Sequence, residues 1–444
     1  MRFERFVVAA LMALTLVACS TGEMDAGKKD AGGGAGGNGG SGGALAPFGI
    51  TTLDSQQTDP NAIGMAVSAT QQRVGVAYFQ KLSTTTTQGD GGLAADYNLT
   101  YIEWKDGVVG SPEVIDKVQR IYGVSVAFQT SGEPAIAYLG GMAQASAFWF
   151  QNDLLIAYRN GGTWTKQTVT TQGSDCPCPQ AMTASRGFLV GLFPSLAFSG
   201  TTAFVSYRDG HDGQFPQQDW AGSDAKLSQG GPTAWTHSCV RTGLDNKQAY
   251  GTRTSLVVAN GQPAFVHDQA FGGADALGQN VLFERRQADG GWGPPRTLLS
   301  ISNVQTGASL AYDPTEGYGV AAVDRSENKL VYTHSIDGTT FTTADQVFQS
   351  GSGGWFPSLA MDPINHEPAI AYYFCTPRPD GTEGSCPATD DELRVTQRSG
   401  GNWHETVVTT EGVYSPRLGF LSSGKRVVAY RAQPRGELRL AVER

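Results

Sequence analysis

The stretch FPSLAMDPINHEPAIAYYF at residues 356–374 decides the fold, because the chain repeats its pattern along most of its length. Within it, two short apolar runs flank a turn-forming cluster that contains Asp, Pro and Asn. Two such runs around a short polar turn are typical of a β-hairpin. Further copies of the pattern lie at 64–78, 125–138, 195–207, 255–267, 309–322 and 417–430. The chain therefore contains seven copies, which indicates a repeat architecture.

A second unit follows most copies of the hairpin. It consists of a strand, a Gly-rich turn that usually closes on Trp or Phe, and one more strand. Examples are DLLIAYRNGGTW (153–164) followed by TKQTVTTQG (165–173), and ELRVTQRSGGNW (392–403) followed by HETVVTTEG (404–412). Each repeat is therefore predicted to form four short antiparallel strands.

The hairpin strands alternate large and small apolar residues. Leu359, Met361, Ile370 and Tyr372 are interleaved with serine and alanine, and successive side chains of a strand point to opposite faces. One face of each sheet is thus bulky and the other is flat, and both are apolar. Identical sheets bury both apolar faces when the large face of one sheet packs against the small face of the next. The predicted fold class is all-β, a seven-bladed β-propeller of four-stranded antiparallel blades.

The two ends of the folded region predict how the ring closes. The seventh repeat stops after GELRLAVER (436–444), its third strand, and FGITTLDS (48–55) resembles the fourth strands of other repeats. We therefore expect this N-terminal strand to pair with the C-terminal blade.

The first residues have the features of an export signal. Arg2 and Arg5 precede an apolar run from Phe6 to Ala18 that is too short to be a permanent transmembrane helix. Leu16-Val17-Ala18-Cys19 resembles the bacterial lipobox, and that resemblance implies cleavage before Cys19 and acylation of its thiol. The alternative is an ordinary signal peptide that contains a cysteine.

The organisation that follows is a signal peptide at 1–18, a lipidated Cys19 with a Gly-rich flexible linker over 19–45, and a propeller over 46–444. Ser20 after the cysteine favours the outer membrane under the sorting rule for Gram-negative lipoproteins. We expect a lipid-anchored protein that faces the periplasm or the cell surface.

Composition limits the partners. The net charge is −9 and charged residues make up 16% of the chain, which argues against nucleic acid. We expect contact with the membrane only through the lipid, and a monomer.

The cysteines suggest disulfides, since an exported protein meets an oxidising compartment. Cys375 and Cys386 flank a Pro/Gly-rich loop and are predicted to pair. Cys176 and Cys178 form a CPC motif, of which one member is expected to bond Cys239. No histidine lies at ligand spacing near them, so a metal site is disfavoured.

The phrase PSLAMDPINHEPAIAYYF resembles P-S-L-A-x-D-x-x-G-x-P-x-I-x-Y repeats of exported bacterial proteins, which are grouped with sialidase-like, BNR-type propellers. SIDGTTF (335–341) is a distant match to the Asp-box of that family, S-x-D-x-G-x-T-W. The resemblance implies that it lies on a third-to-fourth-strand turn and braces that turn without a catalytic role.

The same resemblance raises the alternative of a sialidase-like glycoside hydrolase or lyase. Such an enzyme needs three arginines that bind a carboxylate, a Tyr–Glu nucleophile pair and an Asp acid. Arginines do occur at strand ends, at Arg159, Arg208, Arg325, Arg398 and Arg431. However, the family's early Arg-Ile-Pro motif is missing, and those sialidases have six blades.

Variable connections place the candidate site. The links between the second and third strands lengthen at 79–96, 139–152, 208–224, 268–279 and 374–391, while the first turn of each repeat stays short. Long loops on a rigid frame are the usual location of function. The candidate ligand-binding residues in them are Trp149, Phe150, Asp209, His211, Asp212, Trp220 and Asp268.

Aromatics beside carboxylates suit a glycan or a protein ligand. The alternative for residues 147–150 is that they fold inward and plug the loops. No cofactor is predicted, although Asp209 and Asp212 could hold Ca²⁺ through their oxygens. Aromatic and imidazole side chains that end the second strands, such as Tyr138 and His267, are expected to pack between blades. The predicted function is a non-catalytic binding or assembly module.

Overall fold

The computed structural model describes residues 48–56, 58–68, 70–87, 93–119, 121–140, 152–171, 178, 189–210, 223–243, 248–271, 280–300, 307–324, 326–327, 329–348, 352–375, 391–433 and 435–444. Within them, twenty-nine strands form seven antiparallel sheets. The seven-bladed propeller is therefore confirmed. We number the blades 1 to 7 in chain order.

The strands follow the repeats. β1 spans Phe48–Asp54. Blade 1 contains β2 (Thr58–Val67), β3 (Arg73–Thr87), β4 (Leu93–Lys105), β5 (Val108–Val109) and β6 (Glu113–Val118). Blade 2 contains β7 (Val124–Phe128), β8 (Pro134–Gly140), β9 (Asp153–Asn160) and β10 (Thr163–Thr170). Blade 3 contains β11 (Val190–Ser199), β12 (Thr202–Asp209), β13 (Asp224–Gly231) and β14 (Ala234–Arg241).

The second half of the chain continues the series. Blade 4 contains β15 (Gln248–Ala259), β16 (Gln262–Phe271), β17 (Asn280–Arg285) and β18 (Arg296–Ser300). Blade 5 contains β19 (Ser309–Asp313), β20 (Gly317–Asp324), β21 (Lys329–Ser335) and β22 (Asp345–Gln346). Blade 6 contains β23 (Ser352–Met361), β24 (Pro368–Cys375), β25 (Asp391–Ser399) and β26 (Asn402–Thr409). Blade 7 contains β27 (Val413–Phe420), β28 (Arg426–Ala432) and β29 (Leu438–Glu443).

The expected closure of the ring is also confirmed. β1 pairs antiparallel with β29, from Phe48 opposite Glu443 to Asp54 opposite Leu438. Blade 7 thus takes its outer strand from the beginning of the folded region and its other strands from the end.

The blades pack large face on small face, as the alternation predicts. In blade 6, Ile370 and Tyr372 pack with Tyr332 of blade 5, while Ala369 and Ala371 pack with Leu418 and other large residues of blade 7. All four blade 6 side chains are fully buried. The core is therefore distributed between neighbouring blades.

The serine of the P-S-L-A phrase links each blade to the next. The backbone N–H of Leu418 donates to Ser358 Oγ at 2.9 Å, and that of Leu359 donates to Ser309 Oγ at 2.9 Å. The same bond joins Leu196 to Ser125, Leu256 to Ser195 and Leu310 to Ser255. We call these five serines the serine belt.

The tyrosines at the ends of the second strands are buried, as expected. Several of them also donate to carboxylates: Tyr78 to Asp54 at 2.5 Å and Tyr138 to Asp116 at 2.8 Å. Burial, followed by the carboxylate partner, raises the pKa of both hydroxyls above the ordinary value of 10. They remain neutral donors that tie strand 2 to the preceding blade.

The Asp-box match braces a turn, as its resemblance implied. Residues 335–341 follow β21 and precede β22, between the third and fourth strands of blade 5. Asp337 Oδ1 accepts the backbone N–H of Thr339 at 2.8 Å, and the N–H of Gly338 donates to Ser335 Oγ at 3.0 Å. Hydrogen bonds from Thr339 hold the pKa of Asp337 below its usual range.

Cys178 forms the disulfide with Cys239, which confirms that one member of the CPC motif pairs there. Cys375 ends β24, but its predicted partner Cys386 lies outside the described residues, so that pairing stays a prediction. Among the residues with described positions, no helix is long and apolar enough to cross a bilayer.

Candidate ligand-binding cavity

A cavity of about 280 Å³ lies where the inner strands of all seven blades meet. Its lining comes from the beginning of each P-S-L-A phrase. Thr252 in this part of β15 lies opposite Asp268, close to the end of β16 where the long loop 272–279 starts. The cavity is therefore at the loop-bearing end of the propeller. We call it the axial cavity.

The residue two positions before the serine, or its equivalent, lines the axial cavity in blades 1 to 5. In blades 3, 4, 6 and 7 it has a left-handed backbone, with φ of 52° at Phe193, 49° at Arg253, 56° at Phe356 and 48° at Ser415. The strand register slips at each of these points. Such β-bulges re-aim side chains, here at the head of each inner strand.

Glycine takes the same position in blades 2 and 5, with φ of 110° at Gly123 and 75° at Gly307. A Cβ on Gly123 would lie 2.9 Å from Phe193 Cα, and a Cβ on Gly307 would lie 2.8 Å from Arg253 Cδ. These glycines therefore make room for the bulky residue of the neighbouring blade.

Two arginines reach the axial cavity from opposite sides of the ring. Arg253 belongs to blade 4, and Arg417 of blade 7 takes the place of the belt serine. Among the described residues that line the cavity, these two are the only ionisable ones. The lining therefore carries two cationic groups, and the buried Asp268 acts on one of them, Arg253.

The two guanidinium groups are close enough to affect each other. Burial, followed by repulsion from Arg253, lowers the pKa of Arg417 to about 10. Burial also lowers the pKa of Arg253, although the nearby Asp268 opposes that change. Arg417 donates to the backbone oxygen of Pro416 at 3.1 Å. Like charges held together favour an anion between them.

Aromatic rings border this charge. The Arg253 guanidinium lies over the Phe193 ring, 5.5 Å from its centroid, and Tyr122 meets the same ring edge-on at 6.3 Å. Phe356 and Tyr414, which are not among the residues that line the cavity, form an edge-to-face pair at 5.9 Å between blades 6 and 7. Tyr122 is 40% exposed, so part of this border faces solvent.

Two of the predicted binding residues can be located. Asp209 and Asp268 are both fully buried, and Asp209 accepts from Lys226 Nζ at 2.5 Å inside blade 3. Asp268 affects the axial cavity through Arg253. The others lie outside the described residues: Trp149, Phe150, His211, Asp212 and Trp220. The calcium site at 209–212 accordingly stays a prediction.

Cys178, Asp224 and Cys239 have ligand atoms within 4.8 Å of one another. Because the two sulfurs form the disulfide, they are not available to a metal ion.

The arginines singled out at strand ends mostly serve the frame. Arg159 pairs with Glu113 at 2.9 Å, and Arg398 pairs with Glu316 at 2.9 Å, each across a blade boundary. Arg208 is buried and donates to Thr252 Oγ1 at 3.3 Å. Arg325 lies outside the described residues.

Sequence reasoning missed Phe193, Arg253 and Arg417, which line the cavity. One signal was available: the seventh copy reads P-R-L-G at 416–419, where the pattern has P-S-L-A. A charged residue at a repeat position that is otherwise small is a departure that a sequence comparison of the copies can detect.

The fold and the cavity define a class, a seven-bladed β-propeller with a cationic axial cavity. No protein-family model and no curated protein matches the sequence. Several solved structures are similar to this chain. The α-L-arabinofuranosidase Arb93A from Fusarium graminearum, complexed with an iminosugar inhibitor, has a TM-score of 0.46 and 11% identity, over 90% of this chain and 97% of that one.

The Hadza microbial sialidase Hz136 has a TM-score of 0.46 and 12% identity, over 80% of this chain and 74% of that one. A protein of unknown function from Dyadobacter fermentans has a TM-score of 0.45 and 12% identity, over 89% and 98%. At such values these likenesses carry no argument about activity.

Proposed function

We propose that this protein is a non-catalytic binding module that takes an anionic ligand, from a glycan or a protein, into the axial cavity at Arg253 and Arg417. The proposal is supported by one observation: two arginines that line the same cavity and repel each other. An anion between them would offset their repulsion, and guanidinium groups bind carboxylate or sulfate through paired hydrogen bonds.

The rigidity of the frame supports binding. The serine belt joins the inner strands around the cavity, so the backbone that carries the arginines is held in place before a ligand arrives. Pre-organised groups lose less entropy on binding.

The protein is also proposed to be attached to a membrane. We infer that Cys19 carries the lipid and that residues 19–45 tether the propeller to the outer membrane. Replacing Cys19 with alanine should move the protein from the membrane fraction to the soluble fraction, and unchanged membrane association would refute the anchor.

The test of binding uses the full chain in detergent on an array of acidic and neutral glycans and acidic peptides. Arg417→Ser should lose at least tenfold in affinity for the acidic ligand that the native protein retains. Its melting temperature should not fall, because serine occupies this position in five other blades. Arg435→Ser is the matched control, since that side chain is 79% exposed, and it should bind normally.

Two results would contradict the proposal. One is an Arg417→Ser variant that binds acidic ligands as well as the native protein does. The other is hydrolysis or eliminative cleavage of the retained glycan by the native protein, which would favour the glycoside hydrolase or lyase alternative.

A further inference from the structure

We infer that the propeller binds an anionic amphiphile, a ligand with one anionic head group and one unbranched apolar tail. This inference rests on the proposed function, because the head group would occupy the site at Arg253 and Arg417. A fatty acid and an alkyl phosphate share this chemistry and are its two possible sources.

A second cavity, of about 310 Å³, supplies the place for the tail. Its lining comes from blades 1, 6 and 7 and includes Met65, Met361 and Phe420. None of the described residues that line it is ionisable, and Ser422 is the only one with a polar side chain. A lining of this composition favours a hydrocarbon group. We call this second cavity the apolar cavity.

The apolar cavity adjoins the axial cavity, since Met65 and Leu418 line both of them. Along β27, Arg417 lines only the axial cavity, Leu418 lines both, and Phe420 lines only the apolar cavity. From Arg417 to Phe420 the strand advances about 10 Å, which matches an extended tail of roughly eight carbons. A ligand of that length would reach from the arginines into the apolar cavity.

The seventh copy of the repeat departs from the pattern once in each cavity. It reads P-R-L-G at 416–419, where the pattern has P-S-L-A. Arginine replaces the belt serine in the axial cavity, and Gly419 replaces alanine in the apolar cavity. A Cβ on Gly419 would lie 2.5 Å from Val67 Cγ2 and 3.2 Å from Met65 Cε. The glycine therefore lets apolar side chains of blade 1 approach blade 7.

The apolar cavity opens to solvent at the end of the short turns, where Pro363 and Ser422 are exposed. Met65 and Met361 are both half-buried, and the flexible thioether side chain adapts to ligands of different shape. A tail longer than the cavity would meet solvent at the opening. Affinity should therefore stop rising once the tail fills the cavity.

Calorimetric titration tests the inference with the full chain in nanodiscs of neutral phosphatidylcholine, and with empty nanodiscs as the blank. The probes are acetate, butanoate, hexanoate and octanoate, with 1-octanol as the neutral probe and octyl phosphate as the second head group. Affinity should rise about two- to fourfold for each added methylene that the cavity buries. 1-Octanol should bind roughly tenfold or more weakly than octanoate. Tighter binding of octanoate would identify a fatty acid, and tighter binding of octyl phosphate an alkyl phosphate.

The decisive variant is Val67→Thr, which keeps the shape of the side chain and places a hydroxyl in the apolar cavity. It should weaken octanoate binding roughly three- to tenfold and leave acetate binding unchanged. Val258→Thr is the matched control. Val258 occupies the same repeat position in blade 4, is half-buried like Val67 and lines neither cavity. The control should bind both acids normally, and its melting temperature shows what the substitution costs the fold.

The outcomes separate the two proposals. If the four acids bind equally and Arg417→Ser weakens all of them, the anion site stands and the amphiphile is refuted. The amphiphile is also refuted if 1-octanol binds as tightly as octanoate, or if Val67→Thr binds octanoate normally. It is refuted again if the chain retains an acidic glycan or peptide and binds none of these acids. If no anion of any kind binds, the proposed function fails as well.

Discussion

Serine recurs at one position of the inner strand because its hydroxyl accepts an amide N–H from the neighbouring blade. The two blades that depart from it do so for separate reasons. In blade 1 the position is Gly64, where a Cβ would lie 2.9 Å from the backbone oxygen of Val124. In blade 7 it is Arg417, which lines the axial cavity. A single repeat position thus holds the ring together and carries the candidate site.

The belt predicts the cost of losing one hydroxyl. In Ser358→Ala the buried N–H of Leu418 would lose its acceptor, and an unsatisfied buried donor costs about 1–3 kcal/mol. Chemical denaturation should show that loss with an unchanged slope. Ser131→Ala is the control, because Ser131 Oγ accepts the N–H of Glu133 at an exposed turn and water can replace it. Equal stability of the two variants would contradict a structural role for the belt.

At the scale of strands and blades, the sequence predicts much of what the structure contains. The alternation of Leu359 and Ile370 with small residues predicts how the faces of neighbouring blades pack. The missing fourth strand of the last repeat predicts that residues 48–55 close the ring. The bulges could not be predicted in this way. Phe193 and Phe356 are ordinary strand residues by propensity, and nothing in their local sequence marks the positive φ that both adopt.

The candidate site is likewise predicted only in part from the sequence. Loop lengths in the sequence predict which end of the propeller would bind a ligand, and the axial cavity lies toward that end. The loop residues proposed from the sequence include Asp209, which is enclosed with Lys226 in blade 3. Burial of that kind depends on the packing of several strands, which no local pattern records.

The closing strand should contribute several kcal/mol to stability. β1 forms a ladder with β29, and each backbone hydrogen bond is worth roughly 0.5–1.5 kcal/mol. A chain that begins at residue 58 also loses Asp54, the partner of the buried Tyr78 hydroxyl. It should melt well below a chain that begins at residue 46, and a peptide of residues 46–57 added in trans should restore part of the difference. Coincident melting of the two chains would rule out closure by this strand.

For the molecule as a whole, contacts between neighbouring blades matter more than contacts within any one blade. The faces interlock, the belt joins five blade boundaries, and ion pairs such as Arg398–Glu316 cross between blades at the periphery. A ring of this kind has no terminal blade, so the two chain ends share one sheet. Stability of the axial cavity is therefore a property of the whole ring.

One of these contacts between blades should make stability depend on pH. His366 Nδ1 of blade 6 lies 2.9 Å from Asp313 Oδ2 of blade 5. The hydrogen bond with Asp313 raises the pKa of His366. Burial disfavours ionised Asp313, but hydrogen bonds from His366 and from the backbone N–H groups of Thr315 and Glu316 outweigh it and lower its pKa.

The two shifts define a pH window. Because the folded pKa of His366 is raised, its contribution is complete below the unfolded value of about 6.5 and is lost as pH rises through the folded value. Because the folded pKa of Asp313 is lowered, its contribution is present above about 3.9 and is lost as pH falls through the folded value. The pair should therefore stabilise the ring most between these limits.

His366→Asn isolates this effect, since asparagine tolerates the left-handed backbone of this residue, with φ of 62°, and does not titrate. The native protein should melt above the variant at pH 5.5, and the difference should shrink as pH rises through the raised pKa of His366. Each protein is compared with itself across pH, so the effects of other titrating groups on stability cancel when the substitution leaves those groups unchanged. Asp313→Asn tests this condition as the reciprocal control. That variant should show the same loss at pH 5.5. A native advantage that is constant from pH 5.5 to pH 9 would show that the contact between blades 5 and 6 does not depend on a charged histidine.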